Sequence, residues 1–178
     1  SNMGVLKADK SEAFLRILLE DLSYDDMQIP LGLVAANIDR KEGVCFREGD
    51  LLKSIQASMS LPLWMEPVSI GGERYVDGIA HDVVPVTDLR KMGADIVIAV
   101  DISLRSDRSK ASNAVEVKYI SDAMTVNRSI DLSLEKADIV IRPDVKDIMW
   151  FDFDRAAKLV RSGREAAELM IPDINKFL

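Results

Sequence analysis

The sequence predicts an α/β fold in which a largely parallel sheet lies between two helical layers, a three-layer α/β/α sandwich. Short apolar segments alternate with amphipathic helical segments along the 178 residues, which is typical of this class. The run from Ile29 to Ile38 is apolar almost throughout, as in a strand covered on both faces. Residues 94–98 and 137–141 share the letters Ala-Asp-Ile-Val-Ile, which favours two buried parallel strands.

Two amphipathic helices are expected in the first third of the chain. Ser11 can cap a helix over residues 11–22, and Asp50 can cap a second helix that ends before Pro62. Both helices are expected to turn their apolar residues toward a core. These residues are Phe14, Leu15, Leu18, Leu19 and Leu22 in the first helix, and Leu51, Leu52, Ile55 and Met59 in the second.

Strands and helices alternate through the rest of the chain. Gly71-Gly72 can supply the positive φ values of a tight turn between strands at 68–70 and 74–76. Pro85 and Gly93 bracket a short helix. The remaining predicted elements are strands over 42–46, 95–100 and 138–141, a long helix marked by Val117, Ile120, Met124, Ile130 and Leu134, and a final helix from about Asp154 to Met170.

The composition of the chain disfavours several classes of binding partner. The formal net charge of −7 disfavours nucleic acid and anionic bilayers, because both attract clustered Lys and Arg. The longest strand-like apolar run, Ile96–Val100, is far shorter than the roughly 20 residues of a membrane helix, so no transmembrane segment is expected. Cys45 is the single cysteine, which favours a reducing cytoplasmic setting and a buried, inert thiol.

The chain is expected to contribute to one domain that needs no cofactor. Residues 1–2, Ser-Asn, look like the remnant of a removed tag, so residues 3–178 are assigned to the domain. One histidine and one cysteine cannot form a zinc site. A magnesium site is conceivable because several carboxylates fall near predicted strand ends, but capping and turn roles are favoured without a glycine-rich phosphate loop. These carboxylates are Asp39, Asp77, Asp101 and Asp144.

Asp77 is the residue best placed for chemistry. It lies at a predicted strand end and is followed by Gly78, which lets the backbone approach a ligand closely. An aspartate there can act as a general base toward a nearby hydroxyl without a histidine. The alternative is that Asp-Gly is a turn dipeptide whose side chain accepts a hydrogen bond from its own backbone.

The order of motifs from about Phe14 to Asp101 resembles the second half of patatin-like phospholipases and of their bacterial lysophospholipase-like relatives. The matching motifs are Ile29–Asn37, Gly49-Asp50-Leu51, Ala57-Ser58 to Pro62, the Gly71-Gly72 hairpin and Asp77-Gly78. The resemblance implies a Ser-Asp dyad that cleaves acyl esters of lipids, with Asp77 as the dyad aspartate and Gly78 supporting its turn. The implied substrate is a lipid or another acyl ester.

Two departures from the family pattern affect this assignment. Ile79 stands where the family usually has Gly or Ala, and a β-branched residue there could crowd the channel or alter the turn. No Gly-x-Ser-x-Gly nucleophile elbow occurs anywhere in the sequence. We therefore expect that the N-terminal part of the domain, with the serine nucleophile, is missing and that this chain alone is inactive.

Two further features of the sequence have a functional interpretation beside a structural one. His81 could tune Asp77, four residues before it, although a loop histidine is more often structural or solvated. Residues 149–153, Met-Trp-Phe-Asp-Phe, could form an apolar lip for acyl chains or a membrane surface, but anchoring of the final helix in the core is favoured.

Two functions from different classes follow. In the first, the chain is the C-terminal portion of a cytoplasmic patatin-like hydrolase, which can act at the membrane periphery and requires its missing N-terminal half. In the second, a short protein starting at Met3 keeps the fold for binding or assembly and has lost catalysis. An exposed strand edge or apolar face would then favour a homo-oligomer or another partner.

Overall fold

The computed structural model describes residues 9–103, 113–146, 148 and 152–177. The chain separates into two compact units, Ser1–Val83 and Val84–Leu178, and each is described by itself. The first unit contains α1 (Asp9–Leu19), β1 (Leu33–Asn37), β2 (Glu42–Phe46), α2 (Leu51–Ser58), β3 (Val68–Ile70) and β4 (Glu73–Asp77). The second contains α3 (Val86–Lys91), β5 (Ile98–Val100), α4 (Ala114–Leu134), β6 (Ile139–Ile141) and α5 (Ala156–Ile174).

Helices and strands are mixed as expected for an α/β protein, but the larger sheet is antiparallel. Its four strands lie in the order β2-β1-β4-β3, and each neighbouring pair is antiparallel. The predicted largely parallel sheet is therefore wrong for this unit. Residues Val34–Asn37 are buried on both faces of β1, as the apolar run predicted. Burial on both faces reflects what covers a strand, and it does not determine the direction of the neighbouring strands.

The β3–β4 turn and the N-cap of α2 follow the sequence pattern, but the inner face of α2 does so only in part: Leu51 is buried, whereas Met59, expected on that face, is exposed. Gly71 and Gly72 have φ values of 61° and 86°, as a two-residue turn of this kind requires. The Asp50 carboxylate accepts a hydrogen bond from the Lys53 amide at 3.0 Å and caps α2. Ala57 of α2 is fully buried in a cluster with Ala35 and other residues of the sheet, so this helix covers one sheet face.

α1 does not bury the face that its apolar pattern predicts. Of the five residues expected to face a core, only Leu15 is buried, and Phe14, Leu18 and Leu22 are exposed. The helix packs against α2, which covers only part of its wide apolar stripe. The expected core-facing stripe is therefore mostly uncovered within the described residues.

The second unit contains the predicted pair of parallel strands. Ile98 of β5 pairs with Ile139 of β6, and Val100 pairs with Ile141. The two Ala-Asp-Ile-Val-Ile segments thus lead into neighbouring parallel strands, as predicted, but β5 is not the buried strand that was expected, since Ile98 and Val100 are exposed. The Asp138 carboxylate accepts hydrogen bonds from the Val97 amide at 2.7 Å and from the Arg90 guanidinium at 2.5 Å. These contacts join β5, β6 and the end of α3, and they hold the pKa of Asp138 below its usual value.

α3 and α4 build the core of this unit against β5 and β6. Buried apolar side chains form the cluster Val84, Val86, Val97, Ala99, Ile130 and Leu134. α5 packs against β6. Residues 149–151 of the candidate apolar lip lie outside the described residues, and Phe153 is exposed, so it does not anchor α5 in the core as favoured above. No helix in the described part of the chain has the length and apolar character needed to cross a membrane.

Replacing Ile130 by Ala should destabilise the second unit by about 2–5 kcal/mol, because a side chain that is 1% exposed would leave a cavity. Leu132→Ala on the same helix is the matched control, since its side chain is 49% exposed, and it should cost less than about 1 kcal/mol. Urea unfolding of both variants measures the difference. Equal losses of stability would contradict the observed orientation of α4.

Candidate active site

Asp77 lies at the end of β4, and the backbone around it is fixed from two sides. β4 is an inner strand, and Asp77 pairs with Ala35 of β1. The Asp77 amide donates a hydrogen bond of 2.9 Å to the carbonyl of Ser60, in the segment that follows α2. The Asp77 carboxylate is therefore carried by a strand of the sheet, which favours a well-defined position for this side chain.

Gly78 lets the chain turn directly against β1. The residue is buried and begins a single turn of 3₁₀-helix, Gly78–Ala80. A β-carbon at this position would lie 2.9 Å from the carbonyl oxygen of Val34 and 3.2 Å from its Cγ1. Backbone cannot move aside as a flexible side chain can, so a residue without a side chain is required here.

The Asp77 carboxylate is half-buried and caps this turn. Its Oδ1 accepts a hydrogen bond of 2.8 Å from the Ile79 amide. Burial raises the pKa of the carboxyl above its ordinary value, while the Ile79 amide opposes the shift by stabilising the charged form. No ion pair involves Asp77 within the part of the chain that the structure describes. A carboxylate with a raised pKa is a stronger base when ionised, so this environment suits proton abstraction.

Ser60 is joined to Asp77 through the backbone but is not placed as a nucleophile. Its side chain is buried, and its Oγ donates a hydrogen bond of 2.7 Å to the carbonyl of Gln56. This bond fixes the residue at the end of α2 and engages the hydroxyl proton. Ser60 therefore supports the backbone beneath Asp77, and its hydroxyl is not poised for attack on a substrate.

His81 is exposed and its ring lies beside β2. Its imidazole lies so close to Gly43 of β2 that any β-carbon there would overlap the ring. Its amide donates a hydrogen bond of 2.8 Å to the carbonyl of Gly78 and closes the turn. No hydrogen bond or ion pair joins His81 to Asp77 among the described residues, which agrees with a structural role for this histidine.

Ile79 and Cys45 are accommodated within ordinary secondary structure. The Ile79 side chain is exposed, and its backbone forms part of the 3₁₀ turn Gly78–Ala80. Cys45 lies in β2 opposite Val34 and is half-buried, consistent with the predicted strand position.

The other carboxylates near strand ends have local partners. Asp39 accepts a hydrogen bond of 2.7 Å from the Arg74 amide, and the Arg74 guanidinium holds the pKa of Asp39 below its usual range. The remaining two accept bonds from the turns that follow them: Asp101 from Ser103 at 3.0 Å, and Asp144 from Lys146 at 3.1 Å. Within the described residues, no three His, Cys, Asp or Glu side chains are grouped as metal ligands.

Sequence patterns did not indicate the segment that lies beside Asp77. Residues 61–65, Leu-Pro-Leu-Trp-Met, form a tight turn in which Leu63 has a φ of 77°. Glycine or asparagine usually occupies this left-handed region. Pro62 within the segment and Pro67 after it indicate a loop, but no local pattern predicts that a leucine would adopt this conformation or that the Ser60 carbonyl would accept a hydrogen bond from the Asp77 amide.

The sequence around Asp77 is similar to sequences of known proteins. The family model described as patatin-like phospholipase matches residues 2–90, half of the chain and including Asp77. An uncharacterized NTE family protein of Mycobacterium tuberculosis is 28% identical over 103 residues, which cover 58% of this chain and 29% of that protein. The chain thus spans less than a third of the length of this mycobacterial relative.

Two eukaryotic proteins show shorter stretches of similarity. Lysophospholipase NTE1 of Debaryomyces hansenii is 42% identical over 55 residues, which cover 31% of this chain and 4% of that protein. Patatin-like phospholipase domain-containing protein 7 of Mus musculus is 28% identical over 92 residues, which cover 51% of this chain and 7% of that protein.

Replacing Gly78 by Ala should cost about 1–3 kcal/mol of stability, because the new methyl group would meet the Val34 carbonyl. Gly163→Ala in α5 is the control: no atom lies within 4 Å of a β-carbon there, and the change should stabilise the chain by about 0.5–1 kcal/mol. Denaturant unfolding compares the two. A neutral Gly78→Ala variant would contradict the close approach of the turn to β1.

Replacing Asp77 by Asn should stabilise the fold at neutral pH, because the amide keeps an acceptor for the Ile79 N–H and removes a half-buried charge. The folded pKa of Asp77 is raised, so the stability of the parent protein should fall as pH rises from the unfolded pKa of about 3.9 through the folded pKa. The free energy of unfolding of Asp77→Asn should therefore exceed that of the parent protein by an amount that grows over this pH range and is constant above it.

Thermal unfolding of both proteins across a pH series measures this difference. Asp77→Ala is the control, because it removes the charge and also leaves the Ile79 amide without its acceptor, so it should be less stable than Asp77→Asn. A stability difference that does not change with pH would show that burial does not perturb the Asp77 carboxyl.

Proposed function

The chain belongs to the patatin-like phospholipase family, and we propose that it forms part of a serine hydrolase that cleaves carboxylic acyl esters of lipids with Asp77 as the aspartate of a Ser-Asp dyad. The observation that carries the proposal is the environment of Asp77. Its carboxylate is held at a strand end within the matched region, and burial raises its pKa. The printed names of the yeast and mouse relatives, a lysophospholipase and a patatin-like phospholipase domain protein, support a lipid ester as the substrate class.

The proposed chemistry needs a base, a hydroxyl nucleophile and donors for an oxyanion. Asp77 accepts the proton of a serine hydroxyl as its oxygen attacks the ester carbonyl, and the proton then passes to the departing alcohol oxygen. Water attacks the resulting acyl-serine, loses a proton to Asp77, and releases the fatty acid as the serine is restored. No metal or cofactor takes part in these steps.

The nucleophile of this mechanism lies outside the 178 residues. They contain no Gly-x-Ser-x-Gly elbow, and the hydroxyl of Ser60 is buried against α2. We assign residues 3–178 to the C-terminal portion of one patatin-like domain, a three-layer α/β/α sandwich whose N-terminal part supplies the serine and the oxyanion loop. Residues 1–2 are assigned to a tag remnant. The proposed location is the cytoplasm and the periphery of its membranes.

A second candidate is a non-catalytic binding or assembly protein that keeps this fold. The observation that favours it is the bond from the Ile79 amide to Asp77 Oδ1, since an aspartate that caps its own turn has a complete structural role. The exposed apolar residues of α1 would then face a second copy or another partner.

The intact mass and N-terminal sequence of the protein isolated from its source cells separate the two candidates. The hydrolase proposal requires a longer chain with an upstream serine elbow. A chain that begins at Met3 would overturn it and would support binding or assembly.

The longer protein should hydrolyse a soluble aryl ester, and Asp77→Asn should reduce kcat by roughly 10³–10⁴-fold, because the dyad loses its base. The 178-residue chain alone should show no esterase activity. Asp39→Asn is a suitable control, since that carboxylate pairs with Arg74 at the far end of β4. Activity that survives Asp77→Asn would exclude Asp77 from the mechanism.

A further inference from the structure

β5 is apolar on both faces, but only one of its faces is well covered. On that face Val97 and Ala99 are buried in the core cluster to which α3 and α4 contribute. β-branched residues on both faces are typical of a strand inside a parallel sheet, where both faces are covered. The residues that alternate with Val97 and Ala99 form the β5 stripe, and they are 39% to 66% exposed: Ile96, Ile98, Val100 and Ile102.

The neighbouring strand β6 is covered on the same face as the β5 stripe. Ile139 and Ile141 pair in register with Ile98 and Val100, so these four side chains point to one face of the sheet. Ile139 is 3% exposed and Ile141 is 8% exposed. Val140 points to the other face and packs against the core cluster, while α5 packs against β6. The helical layer over Ile139 and Ile141 therefore does not extend across β5.

The edge of β5 that faces away from β6, its outer edge, carries backbone groups from the same stripe. The Asp101 amide donates a hydrogen bond of 2.9 Å to the Ile141 carbonyl of β6. Backbone groups of successive residues point to alternate edges of a strand, so those of Ile98 and Val100 point away from β6. In the part of the chain that the structure describes, β5 pairs with β6 alone. Charged residues or proline commonly protect an edge strand, and Ile96–Val100 contains neither.

We infer that a strand and a helix from the N-terminal part of the same domain cover β5. The strand pairs in parallel with the outer edge of β5, and the helix lies beside α5 over the β5 stripe. The inference rests on the proposed function, which requires that part. The mycobacterial relative extends far beyond the matched region, which covers 29% of it. A strand with its crossover helix satisfies the edge and the face together, because such helices pack on a face of the parallel sheet.

A second copy of the chain, related by a two-fold axis, satisfies only one of these two features. If the outer edges of two copies paired, the sheet would be extended, but both β5 stripes would stay in solvent. If the two stripes packed face to face, they would be buried, but both outer edges would stay unpaired. The N-terminal part of the domain therefore fits β5 better than a second copy does.

Amide hydrogen exchange in the 178-residue chain and in the longer protein tests the strand pairing. In the 178-residue chain, the amides of Ile98 and Val100 should exchange rapidly, and the Asp101 amide, bonded to β6, is the protected internal control. In the longer protein, exchange at Ile98 and Val100 should slow by on the order of 100-fold or more. Rapid exchange at both residues in the longer protein would overturn the inference. Protection in the 178-residue chain that is lost on dilution would assign the edge to a second copy and overturn it too.

A lysine in the β5 stripe tests whether a helix covers this face. Val100→Lys should leave the thermal midpoint of the 178-residue chain nearly unchanged, because Val100 is 52% exposed. In the longer protein it should lower the midpoint by roughly 5–10 °C, since the charge would be buried. Val160→Lys is the matched control: Val160 is 68% exposed on α5, and its replacement should have little effect in either chain. Equal midpoints for Val100→Lys and the parent in the longer protein would contradict the covering of the stripe.

The exchange measurement and an esterase assay on the longer protein separate this inference from the proposed function. Esterase activity in a longer protein whose Ile98 and Val100 amides stay unprotected would support the hydrolase proposal and overturn the covering strand. Protected amides in a longer protein without esterase activity would do the reverse. Absence of any longer protein in the source cells would overturn both.

Discussion

The pairing of β1 with β4 is the constraint on which the candidate site depends. Ala35 lies opposite Asp77, and the next residue, Gly78, turns directly against the Val34 carbonyl. Because no side chain fits between these backbones, the turn lies close against β1, and the Asp77 carboxylate precedes it at the end of β4. The bond from the Asp77 amide to Ser60 then ties the end of α2 to the same point. The sheet, the turn and the end of α2 are thus held together at Asp77 and Gly78.

The packing at Asp77 and Gly78 also determines the electrostatic environment of the Asp77 carboxylate. The turn that packs against β1 removes water from part of the carboxylate, which disfavours the charged form. The same turn directs the Ile79 amide at Oδ1, which stabilises that form. A structural cap and a general base therefore need the same local geometry, and they differ in whether a hydroxyl approaches the carboxylate. That is why Asp77 supports both candidate functions.

The exposed apolar residues of the first unit include a stripe on α1 and the turn at residues 61–65, and these two groups differ in how they arise. On α1 they follow from an ordinary helical stripe that α2 covers only in part. In the turn at residues 61–65 the backbone adopts an unfavourable conformation at Leu63 while the side chain stays in solvent. Incomplete packing explains the first case, but it does not explain strain.

The sequence by itself determined the elements that depend on local chemistry. Asp50 as a cap, Gly71-Gly72 as a hairpin turn and the paired strands around Ile98 and Ile139 were all predictable, because each depends on conformational preference or on apolar pattern. The motif order likewise led to the family and to Asp77 as its candidate residue. The antiparallel direction of the sheet around β1, the exposure of α1, the raised pKa of Asp77 and the φ of Leu63 were decided only by the tertiary structure. Each of these features depends on contacts with residues that are distant in the sequence. A local sequence pattern does not indicate which residues those are.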